Sequence, residues 1–270
     1  MSAGSSPLGN FGGGTCGCAV VTGLAPDRQI DGFGAALGRL RSAQKSAKGA
    51  PIYSLYVNRP LGRILAAAAF QVRLNPDQVT YISAAFTFVG IAVIALGPAT
   101  VPAGLLVSVL LVLGYALDAA DGQLARLRGG GSLLGEWLDH MIDSAKIACL
   151  HLAVLVCFWR TYDLGPAWLV VPMIFCAVSC VHFFGMILVD LLARVERAKT
   201  GSPTPALPAS LWKTALKMPM DYGVLCLAFA LLGWHGAFFA VYTFLALGST
   251  GYLLLVVRKW RRDIVALSGL

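Results

Sequence analysis

The sequence predicts an all-α integral membrane protein with six transmembrane helices, preceded by an interfacial amphipathic helix. Three observations predict it. Hydrophobic residues make up 57% of the chain, charged residues only 13%, and the mean hydropathy is +0.74, all outside the usual soluble range. Six apolar stretches recur along the chain at lengths suited to a hydrocarbon core of about 30 Å. The basic residues bracket those stretches on one side. A formal charge of +8 would by itself fit a nucleic-acid binder. Its distribution beside apolar segments fits juxtamembrane anchoring instead, so membrane lipids and no nucleic acid are the expected partners.

Residues 1–48 read as a disordered cytoplasmic N-terminal extension, rich in Gly, Ala and Ser. One short helix is expected at most, within DGFGAALGRLRSAQKSAK. Gly12-Gly13-Gly14 is linker composition and no phosphate loop, because no Gly-Lys-Ser/Thr follows. Cys16-x-Cys18 has no His or second Cys pair nearby, which argues against zinc. The other five cysteines sit in apolar segments as small hydrophobes. No signal peptide is evident: the start carries no basic residues and AVVTGLA is brief. Residues 49–270 are expected to form one membrane domain.

Residues 51–70 form the interfacial helix, with Tyr53, Tyr56, Arg59 and Arg63 as anchors beside an apolar face. Asn75-Pro76 stops that segment, and Pro76 opens the next. The six spans follow at about 79–96, 103–117 continuing as helix to 127, 133–158, 167–189 continuing to 197, 220–234, and 237–257. Charge orients them. Of the 21 Lys and Arg, Arg160 falls in a loop on one side and Lys146 inside the third span. All the others precede span one, follow spans two and four, or lie in the tail. The positive-inside rule therefore makes both termini and the turn at 126–132 cytoplasmic. Arg outnumbers Lys about two to one and Ala is abundant, which points to a GC-rich bacterial genome and hence the plasma membrane.

The stretch 118–143, DAADGQLARLRGGGSLLGEWLDHMID, organises the rest. Asp118 and Asp121 are three apart, Asp139 and Asp143 four apart, and each spacing puts its pair on one helix face. Gly129, Gly130 and Gly131 end one helix, and Ser132 caps the next. The simplest geometry is a helical hairpin with four carboxylates facing across a cleft of small residues. Acids inside apolar segments are costly and persist only with partners. A cation cluster is the natural partner, and carboxylate oxygens favour Mg²⁺ or Mn²⁺. Four carboxylates suit a two-metal site that clamps phosphoryl oxygens. A structural acid or a transporter's proton relay is the bland alternative. A polyprenyl-type Mg²⁺-dependent transferase is the other, since such enzymes also use Asp pairs on facing helices. Counting about 1.5 Å per residue, the acids lie roughly 10 to 16 Å along their helices from the cytoplasmic turn. That depth is open to a water-soluble partner from the cytoplasm while a lipid tail stays in the bilayer. His140 sits about 100° round the helix from Asp139 and is the side chain best suited to titrate near neutrality. Lys213 and Lys217, with Asp221, lead into span five. They are either a basic flank or readers of a charged acceptor.

Taken whole, Asp118-x2-Asp121-Gly122-x2-Ala125-Arg126-x8-Gly135-x3-Asp139-x3-Asp143 resembles the signature of the CDP-alcohol phosphotransferase family. The resemblance implies a six-span membrane enzyme, commonly a homodimer. It implies transfer of a substituted phosphate from a CDP-linked donor, CDP-diacylglycerol or a CDP-alcohol, to an alcohol acceptor with release of CMP. It implies that Asp118, Asp121, Asp139 and Asp143 hold the metals and that Asp143 is the base. Asn75-Pro76-x3-Thr80 is similar to the family segment near the nucleotide, so Asn75 and Thr80 are expected at cytidine or phosphate, with plain helix capping as the alternative. Gly122 and Ala125 lack bulk, which lets nucleotide or a neighbouring helix approach. Arg126 is expected to pair with phosphate or with a motif acid. Asn58-Arg59-Pro60 with Gly62-Arg63 is similar to the inositol-phosphate-transferring branch. GEWLDHMIDS is similar to choline and ethanolamine phosphotransferases, where His140 and Glu136 would be the acid-base candidates.

Overall fold

The computed structural model describes residues 32–42, 51–163, 165–200 and 220–267. These residues form eight α-helices, and no strand occurs among them. A short helix, α1 (Phe33–Ser42), comes first. A π-turn at Ser54–Asn58 then leads into α2 (Arg59–Gln71). Next come α3 (Pro76–Leu96), α4 (Val101–Leu127) and α5 (Leu133–Thr161). A 3-10 turn at Pro166–Leu169 opens α6 (Val170–Thr200). The short α7 (Tyr222–Ala228) continues as a 3-10 turn, Phe229–Leu231, before α8 (His235–Leu267).

Local chemistry explains the boundaries. Proline occupies the first turn of α2, α3 and α4, where its missing N–H costs nothing. Asn75 caps α3, and its own N–H donates to Gln78 Oε1 at 2.8 Å in a capping box. Ser132 caps α5 by accepting from Gly135 N at 2.9 Å. Between α4 and α5 the chain turns on Gly129 and Gly130, at φ of +101° and +135°. Those angles favour glycine, as the GGG run predicts.

Five described helices are long and apolar enough to cross a membrane. The span expected at 220–234 is present as the shorter apolar segment Tyr222–Leu231. After it, Gly233 runs against the backbone of Thr100 and Val101 at the start of α4, where a Cβ would overlap. Large apolar side chains such as Leu106, Val109, Trp159, Phe184, Phe244 and Leu247 stand exposed on the long helices. In water such a surface would aggregate; in lipid it is the solvent-facing side. The protein is a multi-pass membrane protein.

The central helix is α4, which packs on α2, α3, α7 and the 3-10 turn after it. Small residues set these contacts. A Cβ on Gly114 would collide with the Thr87 hydroxyl, and one on Gly62 would come within 2.9 Å of Ala119 Cβ. Ser83 Oγ donates to Gly114 O at 2.9 Å, which pins α3 to α4. The sequence predicts an α4–α5 helical hairpin with a cleft between its helices. Helix α3 packs along both, and the backbones of α4 and α5 make little direct contact. The gap between them is the cleft.

Two apolar cores frame it. One joins Leu111, Val154, Phe158, Phe229, Phe238 and Tyr242 from α4, α5, α7–3-10 and α8. The other joins α1, α2, α3 and α4 through Ala36, Leu40, Ala66, Val79 and Leu124. The short helix expected in the N-terminal extension is thus α1, with Ala36 and Leu40 fully buried.

Candidate active site

The acids of the motif converge, but unequally. Carboxylate oxygens of Asp118, Asp139 and Asp143 lie within 4.8 Å of one another. They come from the middle of α4 and the first half of α5. Asp121 is turned aside: its Oδ2 accepts from Thr80 Oγ1 at 2.6 Å, and its Oδ1 accepts from Gly122 N. It is the most deeply buried of the four motif acids, at 7% exposure, so both its oxygens need such donors.

Lys146 enters the same cleft. Its ammonium donates to Asp118 Oδ1 at 2.7 Å and Asp143 Oδ1 at 3.2 Å, with Ser83 Oγ at 3.3 Å. Sequence reasoning registered Lys146 only as a charge inside a span. The signal was its position three residues after Asp143, on one helix face with it. Ser83 was missed altogether, and an isolated serine in an apolar helix carries no signal that would find it.

The other expected residues fall as follows. Thr80 reaches Asp121 and also donates to Pro76 O at 3.1 Å, so its hydroxyl positions an acid. Asn75 caps α3, and its Oδ1 accepts from Arg128 Nη1 at 3.0 Å. Arg128 Nη2 also donates to Leu74 O at 2.7 Å, tying the end of α4 to the α2–α3 turn. Gly122 is open: a Cβ there would meet only Arg126 Nη1, at 3.7 Å. Arg126 is half-buried along α4, and its Nε is a buried donor with no partner among the described residues. Ala125 uses its carbonyl to close the turn, accepting from Arg128 N and Gly130 N. Gly135 faces the first turn of α3, where a Cβ would lie 3.4 Å from Asp77 Oδ1, an ordinary contact.

His140 stands at the side, 3.9 Å from Glu136 Oε1 and edge-on to Phe183. Glu136 is bridged at 2.8 Å by Arg194, which also pairs with Asp190 at 3.0 Å. This network links α5 to α6 beside the cleft. Lys213 and Lys217 lie outside the described residues.

The inner wall of the cleft is aromatic. Tyr115 on α4 lies between Tyr53 and Tyr222, with ring centroids 6.2 and 5.2 Å away. Asp221 locks this wall: its carboxylate accepts from Tyr53 N at 3.0 Å and Gly223 N at 3.1 Å. Gly223 is glycine because a Cβ would overlap the Tyr53 ring.

Fold and site together define a multi-pass membrane protein with an acid-lined cleft between its spans. The chain belongs to the CDP-alcohol phosphatidyltransferase family, whose model matches residues 73–257. A phosphatidylinositol phosphate synthase of Corynebacterium glutamicum is 32% identical over 117 residues, 43% of this chain and 50% of that protein. The chain thus spans about half the length of this curated relative. The crystal structure of Mycobacterium tuberculosis phosphatidylinositol phosphate synthase with CDP-DAG bound matches with a TM-score of 0.48 at 18% identity, covering 76% of this chain and 93% of that one. The same protein in complex with manganese and citrate gives a TM-score of 0.47 at 18% identity, covering 76% and 88%.

Proposed function

We propose that the chain transfers a substituted phosphate from a CDP-linked donor to an alcohol acceptor and releases CMP, in phospholipid or related phosphodiester synthesis. The observation that carries this reading is the cluster of three carboxylates from α4 and α5 in an apolar surround. Family membership supports it. The name of the C. glutamicum relative supports a phospholipid product.

The donor set fits Mg²⁺ or Mn²⁺: it is all carboxylate oxygen, close enough for shared coordination, and repulsive without cations. Asp118, Asp139 and Asp143 would hold the metal, with Asp121 joining as a fourth ligand by turning from Thr80. Bound divalent ions would neutralise pyrophosphate charge and stabilise the leaving CMP.

The chain's own residues do the rest. Gly122 leaves backbone space beside Asp121, where the donor's phosphates can approach. Arg126 brings an unpaired guanidinium N–H to the same stretch, suited to a phosphate oxygen. Thr80 braces α3 against Asp121, Asn75 ties the start of α3 to Arg128, and both would border the nucleotide. Asp143 takes the proton of the acceptor hydroxyl as its oxygen bonds to the phosphorus distal to cytidine. The bond from that phosphorus to the bridging oxygen breaks, and CMP departs with the electron pair. The apolar faces of the spans hold the lipid part. A homodimer, the plasma membrane of a bacterium, and Lys213 and Lys217 as acceptor contacts complete the proposal.

The reading is tested with detergent-purified protein offered a grid of CDP-linked donors and alcohol acceptors. CMP release coupled to a new phosphodiester, seen by mass spectrometry, is expected for at least one pair. A protein that never releases CMP, across soluble and lipid donors, would remove the transferase reading and leave a transporter.

Orientation is part of the proposal. The basic turn at 126–132 faces the cytoplasm, as do both termini. In a background free of reactive native thiols, Ser132→Cys should resist a membrane-impermeant maleimide applied outside intact cells and react after lysis. Labelling from outside would invert the topology.

A further inference from the structure

We infer that Lys146 is a resident cation of the acid cleft: in the donor-free protein its ammonium fills one of the two cation positions, and the chain holds a single divalent ion until donor arrives. This inference rests on the metal reading proposed above.

The geometry is that of a fixed ammonium. Lys146 is 5% exposed, in the middle of a membrane-spanning helix. A lysine on such a helix commonly extends its stem towards the interface. This one points inward instead. It has three N–H donors, and three acceptors meet it, Asp118 Oδ1, Asp143 Oδ1 and Ser83 Oγ, one each from α4, α5 and α3. Ser83 is itself pinned to Gly114 O, so the third acceptor is part of the helix packing. The ammonium therefore sits in a built seat.

The charges decide what that seat does. Asp118 and Asp143 are two of the three clustered acids, and Lys146 compensates both. A divalent ion on the Lys146 side of these oxygens would meet the ammonium at close range in a poorly screened setting. One ion can still bind where Asp139 meets Asp118 and Asp143. A second requires Lys146 to leave its oxygens. The pyrophosphate of a nucleotide donor supplies what displaces it, because it carries negative charge and travels with its own divalent ion. Lys146 then faces the donor's phosphate rather than bare carboxylates. Lys146 acts as a positioning residue, and its effect is read in metal binding rather than in turnover alone.

The test uses the full chain in detergent, without donor, dialysed against Mn²⁺ and analysed for bound metal. Wild type should hold one Mn²⁺ per chain, with the spectrum of an isolated ion by electron paramagnetic resonance. Lys146→Met should hold two, with the spectrum of a coupled pair. Lys146→Arg keeps the charge and should stay at one. Where the Met variant does not fold, Lys146→Gln removes the charge, retains a polar contact to Ser83, and should also hold two. Two ions in wild type, or one in the neutral variants, would overturn the inference and leave the metal reading standing. No Mn²⁺ in any of the proteins would remove the metal reading itself and this inference with it.

Discussion

Asp139→Asn is expected to abolish transfer while leaving the fold intact. Asp139 contributes one of the three clustered oxygens and lies on α5, opposite Asp118 of α4. The amide keeps the shape of the side chain but loses its charge, and it turns an N–H₂ donor towards oxygens that must bind cations. A metal at a phosphoryl centre is worth several kcal/mol in the transition state, and about 1.4 kcal/mol is tenfold in rate. The loss should be on the order of 10³-fold or more in CMP release. The fold should survive because α5 is anchored further along, by Leu150, Val154, Cys157 and Phe158, all buried. Thermal melting in detergent should move little, and chelator treatment of wild type should reproduce the defect and be reversed by added Mg²⁺ or Mn²⁺. Near-normal activity in the variant or in chelator-treated protein would sink the metal reading.

The second large effect concerns the base. Asp143→Asn should lose roughly 10²- to 10⁴-fold in turnover, the range for removing general base catalysis. Donor affinity should fall less, because Asp118, Asp121 and Asp139 remain. The two candidates for this role have different surroundings. Asp143 is inside the carboxylate cluster, where an acceptor hydroxyl would meet the donor. His140 is outside it, packed edge-on against Phe183 and facing Glu136, itself engaged by Arg194. His140→Ala should therefore be mild, with the pH profile of turnover unmoved. A dead His140 variant beside an active Asp143 variant would reassign the base to His140 and draw the protein towards amino-alcohol acceptors.

Much of this was legible in the sequence, for physical reasons that can be named. Apolar length alone located α3, α4, α5, α6 and α8, because a bilayer demands long uninterrupted helices. Glycine and serine chemistry located the α4–α5 turn, and helical periodicity put Asp139 and Asp143 on one face. Periodicity says which face a residue occupies, and it does not say what stands across from it. Hence Lys146 was counted as a stray charge, though it closes on two of the acids. Hence also Asp121, expected beside Asp118, is found turned to Thr80 on a third helix. Nor does periodicity say which helix a glycine will meet: Gly114 of α4 receives α3, and Gly62 of α2 receives α4. Of the span expected at 220–234, the described part is the apolar segment Tyr222–Leu231, and Gly233 after it meets the start of α4 in a contact across more than a hundred residues, which no local pattern announces.

The Asp221 lock has a consequence for how the protein is made. The carboxylate that secures Tyr53 N lies 168 residues further along the chain. A ribosome adding about 5 to 20 residues per second takes roughly 10 to 30 s to cover that distance. Throughout that interval the segment leading into α2 lacks this contact, and the wall formed by Tyr53, Tyr115 and Tyr222 is missing its last ring. The contact between Tyr53 and Asp221 is therefore among the last to form, and the aromatic wall is complete only once nearly the whole chain has been made.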